Sequence, residues 1–483
     1  MAARSEREKI AHLLRRFALG ASEAEIDYYG QGGLKGAIDK LLDYESVDEN
    51  FGVTLSAFQQ QNNGRVNIRG VQAWWVLRLL TTRRPLQEKM TLFWHDHFAT
   101  SASKVNAPLM MYQQNELFRR NATGKFPVLL EEASKDPAML FWLDNQFNVR
   151  GRANENFARE VMELFTLGIG HYSEKDIQEA SRAFTGWSIR RLPQRDTMQM
   201  GDQYRQAEYV FRRPQYDAGE KSVLGKTGAL TGEEVLSHLC ELPRTAIYIS
   251  QKLWEWFAYP NPEPSIVDRI ANRLRDSGLD IKAALRAIME TPEFYSEKAF
   301  RAVYKNPVDF CIPTLRQLGV GETTMQLIQQ APADAPQGPR RFMGAVAALQ
   351  QTMDAMGMEL LFPPDVAGWD GGQAWISTAT MVERIQWADR VFGVANEGAA
   401  RGVRQRAQIR FGAFPLFASD PSPEAVAKKL VSLFDAPIPE EKMPQLVAAA
   451  EKESGGRVTQ QNANKTAAAV TRLIFGAPEF QMA

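Results

Sequence analysis

Apolar residues recur three and four positions apart along most of the chain, the spacing that gathers them on one face of a helix. The pattern predicts helices around 86–98, 109–118, 128–133, 157–167, 177–184, 235–239, 246–257, 266–274, 281–288 and 381–391. Strand-like alternation is scarce, and its clearest instance runs from Ala207 to Phe211. That stretch lies inside a weakly periodic segment, about 190–232, rich in Gln, Arg and Gly. The segment is too long for a plain helix connection and reads as a functional loop or a small irregular insertion. A second break, Ala331 to Pro339, is a linker by composition. Beyond about residue 395 the side chains become smaller and more polar, and two or three further helices are expected to close the chain. No fixed-period repeat is visible. The expected fold is mainly α: a large multi-helical single body with a long irregular insertion and a C-terminal helical segment. Residues 1–330 form its main domain, and residues 340–483 pack on it as a C-terminal helical part.

Composition narrows the function classes. The 483 residues are 44% apolar and 24% charged, which fits a globular protein and excludes a fibrous or disordered chain. Lys+Arg and Asp+Glu both total 57, so a nucleic-acid or anionic-membrane partner would need a local basic patch; neither partner is expected. Cys240 and Cys311 are too few for a disulfide framework or, by themselves, a structural zinc site, and are expected to pack in the core. The charged opening residues lead into Ile10, Leu13, Leu14, Phe17 and Leu19, an amphipathic helix rather than a cleavable leader. No run approaches the roughly 18 apolar residues of a membrane span. As written, the chain is expected to stay in the cytoplasm.

Two motifs are decoys. Gly225-Lys226-Thr227 suggests a phosphate loop, but the required earlier glycine position is occupied by Glu220. Gly368-Trp369-Asp370-Gly371-Gly372 lacks dinucleotide-binding spacing. Its glycines are expected to turn the backbone tightly, with Trp369 and Trp375 as candidate substrate-binding rings at a pocket edge.

The candidate chemistry starts at Phe93-Trp94-His95-Asp96-His97-Phe98, which holds two of only five histidines. Residues i and i+2 of a helix point about 200° apart, so His95 and His97 can share an ion only where the helix ends or loosens. A metal site needs a further ligand, and Glu160 is the candidate. With about 100° per residue, Val161, Leu164 and Phe165 mark a buried arc beside Phe157, and Glu160 falls at its border, at least half buried. Glu163 and Asn156 share its flank. Carboxyls so placed need a cation, donors or a proton. Glu160 and Glu163 are therefore candidate catalytic groups, with Asp217 as a third on a loop covering them. Asn156 and Arg159 are candidate substrate-binding groups. Glu155, Arg159 and Glu163 also fit an ordinary ladder of helical ion pairs. Ser173 and Asp176 form a capping-box pattern.

These readings leave a hydrolase-like enzyme, using a divalent metal or acting on glycans through paired carboxyls, against a non-catalytic binding or assembly protein with a structural polar network. A haem protein with His95 or His97 as axial ligand is a third reading.

Several blocks together resemble the mostly bacterial family known as domain of unknown function 1800. They are His12 to Gly20, Phe93 to Phe98, Asn154 to Gly168, Ala183 to Trp187, and Pro364 to Trp369 with Ala374 to Ile376. The resemblance implies a predominantly helical fold and no known activity. It also implies exported relatives, often with a twin-arginine leader, which raises a periplasmic location. It implies as well a neighbouring partner similar to the alkaline-phosphatase superfamily. Here Arg15-Arg16 has no apolar stretch behind it and belongs to the opening helix.

Overall fold

Each predicted helical stretch becomes a helix whose ends carry their own stop signals in the computed structural model, which describes residues 4–59, 65–192, 206–330, 340–394 and 409–483. Proline occupies the first turn of Pro85–His97, Pro108–Arg120, Pro243–Phe257 and Pro264–Asp276, where a missing N–H costs nothing. Ser5, Ser173 and Thr231 close capping boxes on Glu6–Phe17, Glu174–Ala183 and Gly232–Glu241. The C-terminal part adds Pro423–Leu433, Met443–Ser454 and Ala463–Gly476, after a short turn Phe414–Phe417. The chain is a mainly α body. Among the described residues, no helix is long and apolar enough to cross a membrane.

The irregular insertion contains two small antiparallel hairpins. Trp187–Arg191 pairs with Ala207–Phe211, and Lys221–Val223 pairs with Lys226–Gly228. In the second, Leu224 and Gly225 both hold positive φ, 47° and 84°, the backbone of a two-residue hairpin turn. Gly225 of the phosphate-loop decoy is thus a turn residue. Residues 193–205 of the insertion and the 331–339 linker lie outside the described residues.

The buried apolar side chains fall into two clusters. The first holds Phe17, Trp94, Phe157, Trp187 and Trp254, with Phe17 stacked on Phe257 at 4.1 Å between centroids. The second holds Trp74, Trp75, Met110, Cys311, Trp387 and Phe475, and so draws on both expected parts of the chain. Cys311 is buried and Cys240 half-buried, both as free thiols. The helix Pro85–His97 is the wall between the clusters: Met90, Phe93 and Trp94 face the first, and Leu92 the second. A helix buried on every side shows little amphipathic stripe, and almost all of this one is buried.

Candidate functional site

The helix Pro85–His97 does not loosen at its paired histidines. His97 is its last residue, and Phe98 still donates to Trp94 O at 2.8 Å. The two imidazoles therefore leave in different directions. His95 packs on Trp75 and Phe118, with ring centroids 4.7 and 4.8 Å away, and its Nε2 accepts from Asn115 Nδ2 at 2.9 Å. His97 stands among Phe93, Phe98 and Tyr248, and its Nε2 donates to Phe165 O at 3.1 Å. Burial pushes both down to about 3, so both rings are neutral near pH 7.

The expected convergence of His95, His97 and Glu160 on one ion is not found. No group of three His, Cys, Asp or Glu side chains able to hold a metal occurs among the described residues. The reason is the 200° divergence of a helix that stays regular through both rings.

The segment carrying Glu160 is less regular than expected. The α-helix Glu155–Glu160 passes into a π-turn, Val161–Thr166, in which Leu167 N donates to Met162 O at 2.8 Å, five residues back. Glu160 is half-buried, as its position on the helix predicts, and burial followed by repulsion from Glu163 raises its pKa. Glu163 accepts from the Tyr172 hydroxyl. Arg159 bypasses Glu163: it donates to Glu174 at 2.7 and 2.9 Å, and its pairing with Glu155 is longer, at 3.5 Å. Asn156 is exposed and donates through Nδ2 to Leu143 O at 3.2 Å.

Asp217 is held elsewhere. Its carboxylate takes two hydrogen bonds from Arg182, at 2.8 and 3.3 Å, and that guanidinium lowers its pKa. Asp176 closes the Ser173 capping box and also accepts from Leu224 N at 2.7 Å.

The structure instead draws attention to Asp96, the residue between the histidines. Its Oδ1 accepts from Trp369 N at 2.8 Å, across 273 positions of sequence. The approach is close enough to require Gly368. Its φ is +100°, and a Cβ there would lie 2.5 Å from Asp96 Oδ1 and 2.6 Å from Asp96 O. Burial pushes Asp96 up to about 6, against the backbone hydrogen bond and the charge of Lys252. Asp96 lines a cavity of about 260 Å³ together with Lys252, Glu255, Trp256, Trp369 and Trp375. The cavity lies at the seam of the two cores: Phe93 on its wall belongs to the first cluster, and Trp369 and Trp375 to the second. Glu160 and Glu163 are not among its lining residues.

Sequence reasoning thus reached the tryptophans Trp369 and Trp375 of this cavity and missed its acidic and basic lining, Arg16, Asp96, Lys252, Glu255 and Asp309. One signal was available for Asp96. An acidic side chain in the last turn of a helix opposes the helix dipole, so its presence there calls for another reason.

Residues 12–482 match the family model described as Protein of unknown function (DUF1800), and the chain belongs to that family. No curated protein and no solved structure matches it.

Proposed function

We propose that this DUF1800 member is a hydrolase-like enzyme that uses Asp96 as its proton donor on a ring-bearing, glycan-type substrate seated against Trp369 and Trp375. One observation carries this reading. A carboxyl held near pKa 6 by burial is anchored by a backbone N–H and borders a cavity walled by tryptophans. A carboxyl poised close to neutral pH can both give and take a proton. Two further carboxyls line the cavity: Asp309 is paired with Lys89, and Glu255, its Oε1 accepting from Gln251 at 3.0 Å, is the one proposed as partner to Asp96. Two carboxyls in unlike surroundings divide the acid and base roles of glycoside cleavage. Trp369 and Trp375, both mostly buried, border the cavity and are the rings proposed to receive a sugar.

The test is hydrolysis of a panel of glycan substrates by the purified chain and by Asp96→Asn. The expected result is turnover by the first only, with substrate binding by both. Turnover that survives in Asp96→Asn removes this reading. The roles expected of Glu160 and Glu163 are tested by the same assay with Glu160→Gln and Glu163→Gln.

A second reading, a non-catalytic binding or assembly protein, draws on a specific observation. His95 and His97 each make one hydrogen bond inside the fold through Nε2, and Glu88 is paired with Arg78 and Arg119. It predicts a stoichiometric protein partner, for which a protein similar to the alkaline-phosphatase superfamily is the proposed candidate. Co-purification of that partner with both the parent chain and Asp96→Asn supports it; its absence from both removes it.

A further inference from the structure

The opening helix Glu6–Phe17 carries two adjacent arginines with different roles. Arg16 donates to Phe257 O at 2.9 Å and Trp256 O at 2.6 Å, covering the last carbonyls of Pro243–Phe257. Arg15 points into a separate cluster. Its Nη1 donates to Asp435 Oδ2 at 2.6 Å, and Arg301 Nη2 donates to the same residue, at 2.8 Å to O and 3.1 Å to Oδ1. The ring of Phe300 carries two guanidinium groups, that of Arg4 at 3.6 Å and that of Arg15 at 4.9 Å from its centroid. Lys305, nearby in sequence, is buried, with its Nζ 3.5 Å from the Phe480 centroid.

Charge and hydrogen bonding are both left unbalanced here. Three guanidinium groups face the carboxylates of Asp435 and Glu297, the latter paired with Arg4 at 2.6 Å. Arg15 is 8% exposed, yet its Nε and Nη2 have no hydrogen-bond partner; neither do Arg301 Nη1 and Arg4 Nε. Shielded donors without acceptors are unfavourable, and like charges brought together add to that. Burial, then mutual repulsion, lowers Arg301 to about 10 and lowers Lys305 well below the ordinary lysine range. Arg301 also holds φ at +53°, a conformation that residues with a Cβ rarely adopt. The cluster is not sealed: the side chains of Arg301 and Asp435 are 15% and 25% exposed. Of the three arginines, Arg4 alone lines the surface cleft of about 620 Å³ that also holds Lys9 and Lys35.

We propose that Arg4, Arg15 and Arg301 form a binding site for a phosphate group, either free or carried by a small phosphorylated ligand. A phosphate brings a charge of about −1.5 to −2 and several strong acceptor oxygens. That matches an excess of cations with unpartnered N–H groups on three separate guanidiniums. Arg4, Arg15 and Arg301 do not line the Asp96 cavity, and the proposal does not depend on hydrolysis there.

The experiment is calorimetric titration of the full chain with inorganic phosphate, at an ionic strength matched with sodium chloride, and then with glucose 6-phosphate against glucose. Saturable phosphate binding is expected, weakened at least about tenfold in Arg301→Gln and strengthened in Asp435→Asn, which removes the competing carboxylate. Both variants change partly exposed residues and leave the buried Arg15 in place. Glucose 6-phosphate binding about tenfold tighter than inorganic phosphate identifies a phosphorylated ligand; equal affinities identify free phosphate. No saturable phosphate binding at matched ionic strength, or an affinity unchanged in both variants, overturns the assignment.

Discussion

Glu88, fully buried, and Asp96, half-buried, are carboxyls on the same helix, eight residues apart, and their surroundings drive them in opposite directions. Burial alone would raise Glu88, but Arg119 at 2.5 and 3.0 Å and Arg78 at 2.8 Å outweigh it and hold it at about 2. Asp96 has one backbone N–H and the more distant charge of Lys252, so burial prevails and it rises to about 6. Loss of water is common to both, and the number of cations in contact decides the sign. Glu88 belongs to the framework of the fold. Asp96 titrates about one unit below neutral pH at the wall of a cavity, and that makes it the candidate for chemistry.

The comparison breaks most sharply at Glu88. Glu88→Gln leaves the buried Arg119 and the largely buried Arg78 without their shared carboxylate, and about 3–5 kcal/mol of stability should be lost in urea unfolding at pH 7. A loss below about 1 kcal/mol would mean that the network is open to water. Next is Gly368→Ala, which meets both the Asp96 contact and a φ of +100°, and should destabilise by about 2–3 kcal/mol. If it also shifts the titration of Asp96, measured by NMR, the close approach sets that environment.

Asp96→Asn has a smaller effect with a distinctive pH dependence. Because the pKa in the fold, about 6, lies above the usual 3.8, the native chain binds the extra proton. Its contribution is complete below about pH 4 and is lost as pH rises through 6. Asp96→Asn should therefore match the parent chain at pH 4 and exceed it by up to about 2 kcal/mol at pH 7. Glu88 has the opposite sign, its contribution being present above about 4.5 and lost as pH falls toward 2. A pH–stability profile of Asp96→Asn parallel to the parent's would refute the contrast. The smallest effect is expected at the other acidic site. Tyr172→Phe removes one partly exposed hydrogen bond to Glu163 and should cost about 0.5–1 kcal/mol in the same unfolding assay.

Much of the secondary structure was legible because its causes are local. Ala207–Phe211 forms a strand as its alternation predicts, and prolines and capping boxes mark helix starts within a few residues. The half-burial of Glu160 follows from its place between apolar positions. The π-turn after it carries no comparable local signal, and neither does the turning of Arg159 toward Glu174 rather than Glu163.

The divergence of His95 and His97 was likewise implicit in their spacing, because a regular helix sets the angle between two of its side chains whatever surrounds it. What meets each side chain is a different matter. Asn115 against His95, Phe165 O against His97, Arg119 around Glu88 and Trp369 N on Asp96 all come from distant segments. Helical phase specifies a direction, whereas partners, and with them protonation, arise only when separately encoded elements pack together and exclude water.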